Sequence, residues 1–346
     1  MIEYRLDLHN RQGDNVFTLP AVQLHSFTYS KFLRTGGSIE VRMHDVVAFN
    51  KQFALPEHLD YMWKVYRRNT LFQDELTIDA IGLHRATQQL QLNDGNYLNY
   101  SYAVSMNDLL MTEATSLTNY EKSGVISSVA LEYAKDLLVQ FPSITFPNVS
   151  YPSSIQWAGD RRYKKLVTIL NELAEIDNAN YAINNNLEFV WLYPIDNDVV
   201  VYSDSGQITN FQIVKNYVQL ATHVTVLGNG VDELRLNNTE YLDDFYQKYG
   251  EYYFNHVVRT GAGKTIPALQ EIGIGLLNDR LDSVVDIKFN LANHPSFQYI
   301  RDFDVGHIIT IDFFGSKHKV MIHYVYVTRT KEGIDTILVG CNYVNS

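Results

Sequence analysis

The sequence has a single cysteine, Cys341, among 346 residues. One cysteine cannot form a disulfide within the chain, and it cannot supply a zinc site that needs several thiolates. No apolar run is long enough to cross a bilayer as a helix. The first eight residues alternate apolar and polar side chains, which is not the basic-then-apolar pattern of a signal peptide. These absences argue against a disulfide-stabilised secreted domain and a helical membrane protein.

The sequence also lacks an excess of basic residues. It holds 28 Lys and Arg against 39 Asp and Glu, a net charge of −11. An acidic chain binds the nucleic-acid backbone poorly, so we predict no sequence-specific nucleic-acid binding and no stable membrane binding. The same charge is typical of an ordinary soluble protein. A hydrophobic content of 46% with 19% charged residues indicates a globular chain, and its length predicts two or three domains.

Motifs for catalysis, cofactors or metals are missing as well. Residues 261–265, Gly-Ala-Gly-Lys-Thr, resemble half of a phosphate-binding loop, but Val258 stands where the full motif needs glycine. No His-Glu-x-x-His sequence occurs, and His318 and His323 are five residues apart on a predicted strand, which places them on opposite faces. We therefore predict no catalytic residue, no cofactor and no metal site.

Asp302 and Asp304 are the one pair of carboxylates whose placement suits cation binding or acid and base catalysis. They fall on the same side of an extended segment before His307, and two carboxylates so placed can bind a cation or act as an acid and base pair. The alternative is a solvated turn that leads into a strand at residues 308–311, and we favour that alternative.

The clearest local pattern begins at Asp160. Apolar residues recur there at the spacing of one buried helix face, at Tyr163, Leu166, Val167, Leu170, Leu173 and Ala174. This spacing predicts a helix with Asp160 as its N-cap and an end near Ile176, where Asp and Asn residues follow. Two short apolar segments on either side of residues 184–186 predict a hairpin. A helix on two strands is too small to fold alone, so we expect further partners elsewhere in the chain.

Strand-like alternation dominates both ends of the chain. The predicted strands cover residues 2–8, 16–19, 39–43, 76–80, 97–103, 211–214, 222–228, 285–289, 307–314, 319–329 and 333–339. Helical spacing recurs at residues 123–139 and 266–281. The sequence thus predicts an α+β protein that is mainly β.

A long segment, residues 50–74, separates two of the predicted strands. It carries Tyr61, Trp63 and Tyr66, and a long loop with exposed aromatic residues indicates a contact surface. The other interpretation is that these rings fold back over the sheet. Arg161 and Arg162 belong to a short basic cluster that we expect to meet carboxylates of a partner. These five residues form the predicted contact surface.

Several stretches, in their order and spacing, resemble one known family. They are residues 160–163 with 170–174, 187–189, 200–203 with 208–211, 219–224, 249–250 and 302–311. The sequence resembles the tail-tip or baseplate hub proteins of long-tailed bacteriophages, in the minor-tail-protein branch of siphophages. The resemblance covers about residue 97 to the C-terminus and, more loosely, the N-terminal strands. Residues 237–248 depart from the family pattern.

The resemblance implies a fold with two tail-tube-like antiparallel β-barrels and a small inserted α/β domain. We assign residues 1–105 to an N-terminal barrel that residues 206–230 complete, residues 106–205 to the inserted domain, and residues 231–346 to a C-terminal barrel with one helix. The family forms homotrimers in which six barrels imitate a tube ring, and it has no shared catalytic residues. We expect no fibre-binding or cell-wall-degrading domain after Ser346.

The resemblance also implies a setting. Such hubs continue the tail tube, pass DNA, and contact distal tail proteins, tail-tube proteins and central fibre or tip proteins in the virion, after assembly in the host cytoplasm. Two other functions stay open at this point. One is a tail-associated hydrolase that uses Asp302 and Asp304, and the other is a glycan-binding module that uses Trp63, Trp157 and Trp191. We expect Trp191 to be buried, because it alternates with core-like residues.

Overall fold

A computed structural model describes most of the chain. The described residues are 2–10, 12–19, 23–44, 61–70, 75–91, 97–111, 121–139, 141, 143–147, 153–160, 164–216, 223–228, 237–241, 255–259, 266–267, 269–270, 273–274, 284–292 and 297–344. The chain divides into two compact units, one of residues 1–211 with 288–346 and the other of residues 212–287.

The described elements are mainly strands, as the alternation predicts. They are β1 (Ile2–His9), β2 (Asn15–Leu19), β3 (Leu24–Phe32), β4 (Ser38–His44), β5 (Met62–Asn69), β6 (Thr77–Gln91), β7 (Tyr97–Ser105), β8 (Glu121–Val125), β9 (Gln156–Asp160), β10 (Asn180–Ile183), β11 (Phe189–Leu192), β12 (Ile195–Tyr202), β13 (Ile208–Asn216), β14 (His223–Leu227), β15 (Asn237–Tyr241), β16 (Asn255–Arg259), β17 (Val284–Leu291), β18 (His307–Phe313), β19 (Ser316–Arg329) and β20 (Asp335–Tyr343). The described parts of the chain also contain the α-helices α1 (Ile126–Leu137) and α2 (Leu166–Ile176) and a 3₁₀ helix (Met106–Met111).

Thirteen of the described strands form one large sheet. Its order is β13-β17-β20-β19-β3-β4-β7-β6-β5-β1-β2, and β18 pairs with both β19 and β12. The pairings are antiparallel along most of the sheet, but β12 runs parallel to β18. Strands from the two ends of the chain therefore share one hydrogen-bonded sheet.

The strand β19 joins the two ends because it changes partner along its length. Its first part pairs with β18, from Ser316 to Met321, and its second part pairs with β3, from Tyr324 to Arg329. The register against β20 shifts between Ile322 and Tyr324. Such a bulge bends a strand and exchanges its two faces, so one strand serves two neighbours. Gly340 lies opposite Tyr324, where a Cβ atom would collide with the tyrosine ring.

The helices pack on the hairpin β10–β11 around one apolar core. Leu166, Ile169, Leu170 and Leu173 of α2 are fully buried, and they share a cluster with residues of α1 and with Tyr181, Phe189 and Trp191 of the hairpin. The 3₁₀ helix and β6 add Met106, Leu110 and Ile81 to the same cluster. The predicted burial of Leu170, Leu173 and Trp191 is confirmed, and so is the predicted helix end at Ile176.

The predicted start of this helix is wrong. Asp160 ends strand β9, which pairs with β8, and α2 begins after Lys165 with no side-chain cap. The prediction extended the apolar spacing back to Tyr163, which lies outside the described residues, and took Asp160 as the cap on that basis.

The predicted loop at residues 50–74 is wrong in its second half. Residues Met62–Asn69 form β5, which lies between β1 and β6 in the large sheet. Polar side chains disguised the strand, since Arg67 and Asn69 lie on its buried face beside Trp63 and Val65 and weaken the apolar alternation. The strand β3 (Leu24–Phe32) was missed for a similar reason.

The second compact unit contains a sheet of three strands. The strand β14 pairs antiparallel with β15 and parallel with β16, and Val224 and Val226 of β14 are fully buried. Leu269, in the predicted helix at residues 266–281, is buried; the rest of its predicted inward face lies outside the described residues. The predicted division into two barrels and an inserted domain stays a prediction.

Candidate functional site

A cavity of about 310 Å³ lies between the hairpin β10–β11 and the large sheet. The hairpin cavity, as we call it, is lined by residues 30–34, 38–39, 79–81, 105–107, 180–185, 190, 192–193, 195 and 304–307. Leu192 and Ile195 stand at its rim with exposed fractions of 46% and 55%. The cavity is therefore formed by the sheet on one side and the helix-backed hairpin on the other, and it opens to solvent.

Arg34 ties the sheet to the hairpin across one wall of this cavity. Its Nη2 donates to the carbonyl oxygen of Ala179 at 2.8 Å and its Nε to Oδ1 of Asn180 at 3.1 Å. Arg34 has a φ of +61°, so the chain turns sharply after β3. The Tyr181 hydroxyl donates to Oδ1 of Asn171 at 2.8 Å, and burial raises the pKa of Tyr181 while Arg34 opposes the rise. These contacts hold the hairpin in place.

A buried polar cluster centres on Asp79 of β6. Its carboxylate accepts hydrogen bonds from the hydroxyls of Tyr29 and, at 3.3 Å, Tyr299. Lys31 Nζ lies 3.5 Å from Asp79 and 2.6 Å from Asp304. Burial raises the pKa of Asp79 well above its ordinary value, Asp304 adds to the rise, and the Tyr299 hydroxyl opposes it. Three distant segments of the chain thus meet at one carboxyl group.

Further polar contacts fasten the segment before β18 to the N-terminal strands. Arg67 Nη1 donates to the carbonyl oxygen of Tyr299 at 2.9 Å and Nε to the Tyr4 hydroxyl at 3.2 Å. The Asn69 amide donates to the side chain of Gln298. Because Arg67 and Asn69 are 3% and 5% exposed, these bonds are made where water competes little. The arrangement is that of a structural clamp.

Asp302 and Asp304, considered from the sequence as a cation site or an acid and base pair, take part in this clamp. Asp302 forms an ion pair with Arg301 and accepts the backbone N–H of Gln298 at 2.7 Å. Asp304 binds Lys31 and accepts the backbone N–H of Val305 at 2.7 Å. The favoured solvated turn is thus only partly correct, since both carboxylates bind protein groups.

The structure also locates other residues that were considered for chemistry. Among the described residues, no group of three His, Cys, Asp or Glu side chains could hold a metal ion. Cys341 is buried within β20. Burial lowers the pKa of His307 and Lys31 adds to the effect, while Asp304 opposes it; the imidazole Nδ1 lies 2.9 Å from Nδ2 of Asn197. Residues 261–265 lie outside the described residues. Within the described parts of the chain, no helix is long and apolar enough to cross a membrane.

The predicted contact surface loses one member. Trp63 is fully buried, and its Nε1 donates to Oγ of Ser101 at 2.8 Å, so it cannot contact a partner or a glycan. Tyr61 and Tyr66 are half-buried, with Tyr66 under the guanidinium of Arg5. Arg161 and Arg162 lie outside the described residues. For the four residues other than Trp63 the contact surface stays a prediction.

The other two tryptophans that were considered for glycan binding differ in their burial. Trp191 is buried and donates to Asp177 Oδ2 at 2.9 Å, as the core interpretation predicts. Trp157 is half-buried against the ring of Tyr133. The three tryptophans therefore form no shared exposed platform.

Two features of the structure were missed from the sequence. Asp79 lies among apolar residues of a strand. A charged residue within an apolar strand was the only signal in the sequence for the buried polar cluster. Phe314 precedes Gly315 in a predicted turn, and the exposed fraction of its side chain is 77%. A bulky aromatic residue at such a turn was the available signal.

No family description matches the sequence, and no curated protein matches it. Solved structures do match along nearly the whole chain. A tail protein from Neisseria meningitidis MC58 aligns with a TM-score of 0.65 and 11% identity, over 98% of this chain and 96% of that chain. The 43 kDa tail protein of prophage MuSo2 from Shewanella oneidensis aligns with a TM-score of 0.63 and 8% identity, over 98% and 97%. The chain has the fold of these tail proteins.

A third solved structure also aligns along nearly the whole chain at low sequence identity. The prophage tail protein gp18 from Listeria monocytogenes EGD-e aligns with a TM-score of 0.55 and 9% identity, over 98% of this chain and 94% of that chain. Because the identities are between 8% and 11%, the likeness is one of fold. The tail-protein fold thus agrees with the resemblance found in the sequence, and the roles of individual residues need their own arguments.

Proposed function

We propose that this protein is a structural hub of a phage tail tip or baseplate. The single observation that carries the proposal is the match of 98% of the chain to two phage or bacterial tail proteins at TM-scores of 0.65 and 0.63. The match includes both the large sheet and the helix-backed hairpin, so the whole architecture, and not one common motif, supports a tail role.

In this proposal three copies form a ring that closes or continues the tail tube and passes DNA. The ring anchors distal tail, tail-tube and central fibre or tip proteins in the virion. A net charge of −11 favours a bore that is neutral to acidic, because inward-facing Lys and Arg would pair with phosphates and retain the DNA.

The site geometry favours a structural role over a hydrolytic one. Asp79, Asp302 and Asp304 each bind side chains or backbone N–H groups of the protein. A catalytic acid or base needs an open approach to substrate, and these groups instead link the segment before β18 to the N-terminal strands.

Deletion of the gene with complementation tests the proposal. Particles made without the protein should carry no complete tail tip, and expression of the protein in trans should restore it. The variant Asp302→Asn/Asp304→Asn, if it folds, should restore infectivity as the unmodified protein does. Normal tails in the deletion would contradict the proposal, and purified protein that degrades cell-wall or capsule material only with both carboxylates intact would favour a hydrolase.

A further inference from the structure

The hairpin between β18 and β19 presents a phenylalanine in a strained position. Phe314 has a φ of +49° and Gly315 a φ of +86°, so both central residues of this two-residue turn are left-handed. Asp312 Oδ1 accepts the backbone N–H of Gly315 at 2.8 Å. Asn and Gly are the residues that suit such a turn, and an aromatic residue there is disfavoured.

This phenylalanine is also exposed and rigidly supported. Its side chain has an exposed fraction of 77%, and its ring meets that of Phe313 at a centroid distance of 4.8 Å. Phe313 in turn stacks on Phe211 at 4.8 Å. We name Phe313, Phe314 and Gly315 the Phe314 tip. A preorganised, exposed aromatic side chain has the properties of an interface anchor.

The hairpin cavity lies at the other end of the same strands. Ile195, at its rim, pairs with His307 at the start of β18, whereas Tyr202 pairs with Asp312 near its end. Seven residues separate His307 from Phe314, which is about 23 Å along a strand. The Phe314 tip therefore cannot reach the cavity of its own chain.

The cavity has the size and the walls to hold an aromatic side chain. Its volume of about 310 Å³ is that of a small ligand site. Its lining includes the apolar side chains of Phe32, Leu33, Ile81, Ile183, Leu192 and Ile195, beside the charged residues Lys31, Arg34, Asp79 and Asp304. Two of these, Leu192 and Ile195, are left exposed at the rim although large apolar side chains gain free energy from burial.

We propose that Phe314 of one copy inserts into the hairpin cavity of a second copy. The occupant is a second copy because this chain itself carries both an exposed anchor and an open cavity of suitable size, at opposite ends of one strand pair. A contact between two different surfaces is heterologous, so it joins copies head to tail and closes a ring when the rotation between copies permits. The inference rests on the proposed ring for its setting and names the contact between its subunits.

Sedimentation of the purified full-length protein tests this contact. The unmodified protein should form oligomers, and Phe314→Asn should lower the association constant about 10- to 100-fold, as expected when one buried aromatic anchor is lost. Asn fits the left-handed turn, so this variant keeps its fold. Leu192→Glu should weaken association from the cavity side. The control Val139→Asn removes another side chain with 77% exposure and should change nothing.

Cysteine cross-linking locates the contact. Cys341 is fully buried, so the variants Phe314→Cys and Leu192→Cys each add one accessible thiol. A mixture of the two variants should yield a disulfide-linked dimer on mild oxidation, far above the amount from either variant alone. The mixture Val139→Cys with Leu192→Cys is the matched negative control.

Three outcomes with the purified protein would overturn the inference. They are a protein that stays monomeric at millimolar concentration, oligomers that persist unchanged in both Phe314→Asn and Leu192→Glu, and a mixture that links no better than its control. A tail-tip location with a failed cross-link would refute this contact and leave the hub proposal intact. Efficient cross-linking in a protein absent from the particle axis would support this contact and refute the hub proposal. Binding of Phe314 to a different tail protein in intact particles, with no contact between copies, also counts against it.

Discussion

The core around α2 and the cluster around Asp79 hold the same compact unit together by different means. The core is apolar, with Leu166, Ile169 and Leu170 fully buried, and its helix has a periodic pattern that is visible in the sequence. The cluster joins Tyr29, Asp79 and Tyr299, which are far apart in the chain and follow no period. The comparison shows that the buried face of a helix can be predicted from neighbouring residues in the sequence. A buried polar contact cannot, because its partners come together only when the chain folds.

The largest effect is expected in the apolar core. Leu170→Ala should lower the free energy of unfolding by about 2–5 kcal/mol, because it removes buried methyl groups and leaves a cavity. Ile176→Ala, in the same helix but with Ile176 51% exposed, is the control and should cost under about 1 kcal/mol. Chemical denaturation measures both, and equal losses would mean that α2 does not pack as described.

A smaller loss is expected in the polar cluster. Lys31→Met should lower the free energy of unfolding by about 1–3 kcal/mol, since it leaves the carboxylates of Asp79 and Asp304 without their shared cation. Lys319→Met breaks the exposed pair with Asp196 and should stay within about 1 kcal/mol of the unmodified protein.

Addition of Asp79→Asn to Lys31→Met should recover part of the loss in the cluster, because it removes a buried charge that has lost its partner. A double variant as unstable as the sum of the two single variants would show that the two residues act independently.

The dependence on pH sharpens the comparison further. The folded state raises the pKa of Asp79, so it binds more protons than the unfolded state, and this group's contribution to stability falls as pH rises above its unfolded pKa of about 3.9. The free energy of unfolding of Asp79→Asn relative to the unmodified protein should therefore increase from pH 4 upward. Denaturation at several pH values measures this difference, and a difference that decreases with pH would mean that the carboxylate is stabilised by Lys31 more than burial opposes it.

The smallest effect belongs to the Phe314 tip. Phe314→Asn should raise the free energy of unfolding of the monomer by at most about 1 kcal/mol, because Asn tolerates the left-handed conformation better than Phe. Measurement under monomeric conditions separates this gain from the loss of association. A clear destabilisation would mean that Phe314 packs within its own chain.

These regions also differ in how well the sequence predicted them. The period of Leu166, Leu170 and Leu173 predicted α2 and its buried face, and alternation predicted the hairpin and the C-terminal strands. The start of α2 was misplaced because the apolar period was extended back toward Asp160, whereas the helix begins at Leu166. Trp63 was predicted to be exposed because polar residues, Arg67 and Asn69 among them, share the buried face of its strand and conceal the alternation.

The candidate site was less accessible to sequence reasoning. Asp302 and Asp304 were recognised as a pair, but Lys31, which forms an ion pair with Asp304, lies 273 residues away in the chain. No local pattern encodes such a contact. The Phe314 tip could be recognised only from the φ angle of Phe314 and the exposed fraction of its side chain. Both follow from the way β18 and β19 pair.

A reconstruction of the intact particle tests the central claim most directly. We predict three copies around the tail axis, with a neutral to acidic bore and neighbouring tail proteins bound to the ring. A chain located away from the tail axis, or a bore lined mainly by Lys and Arg, would contradict it.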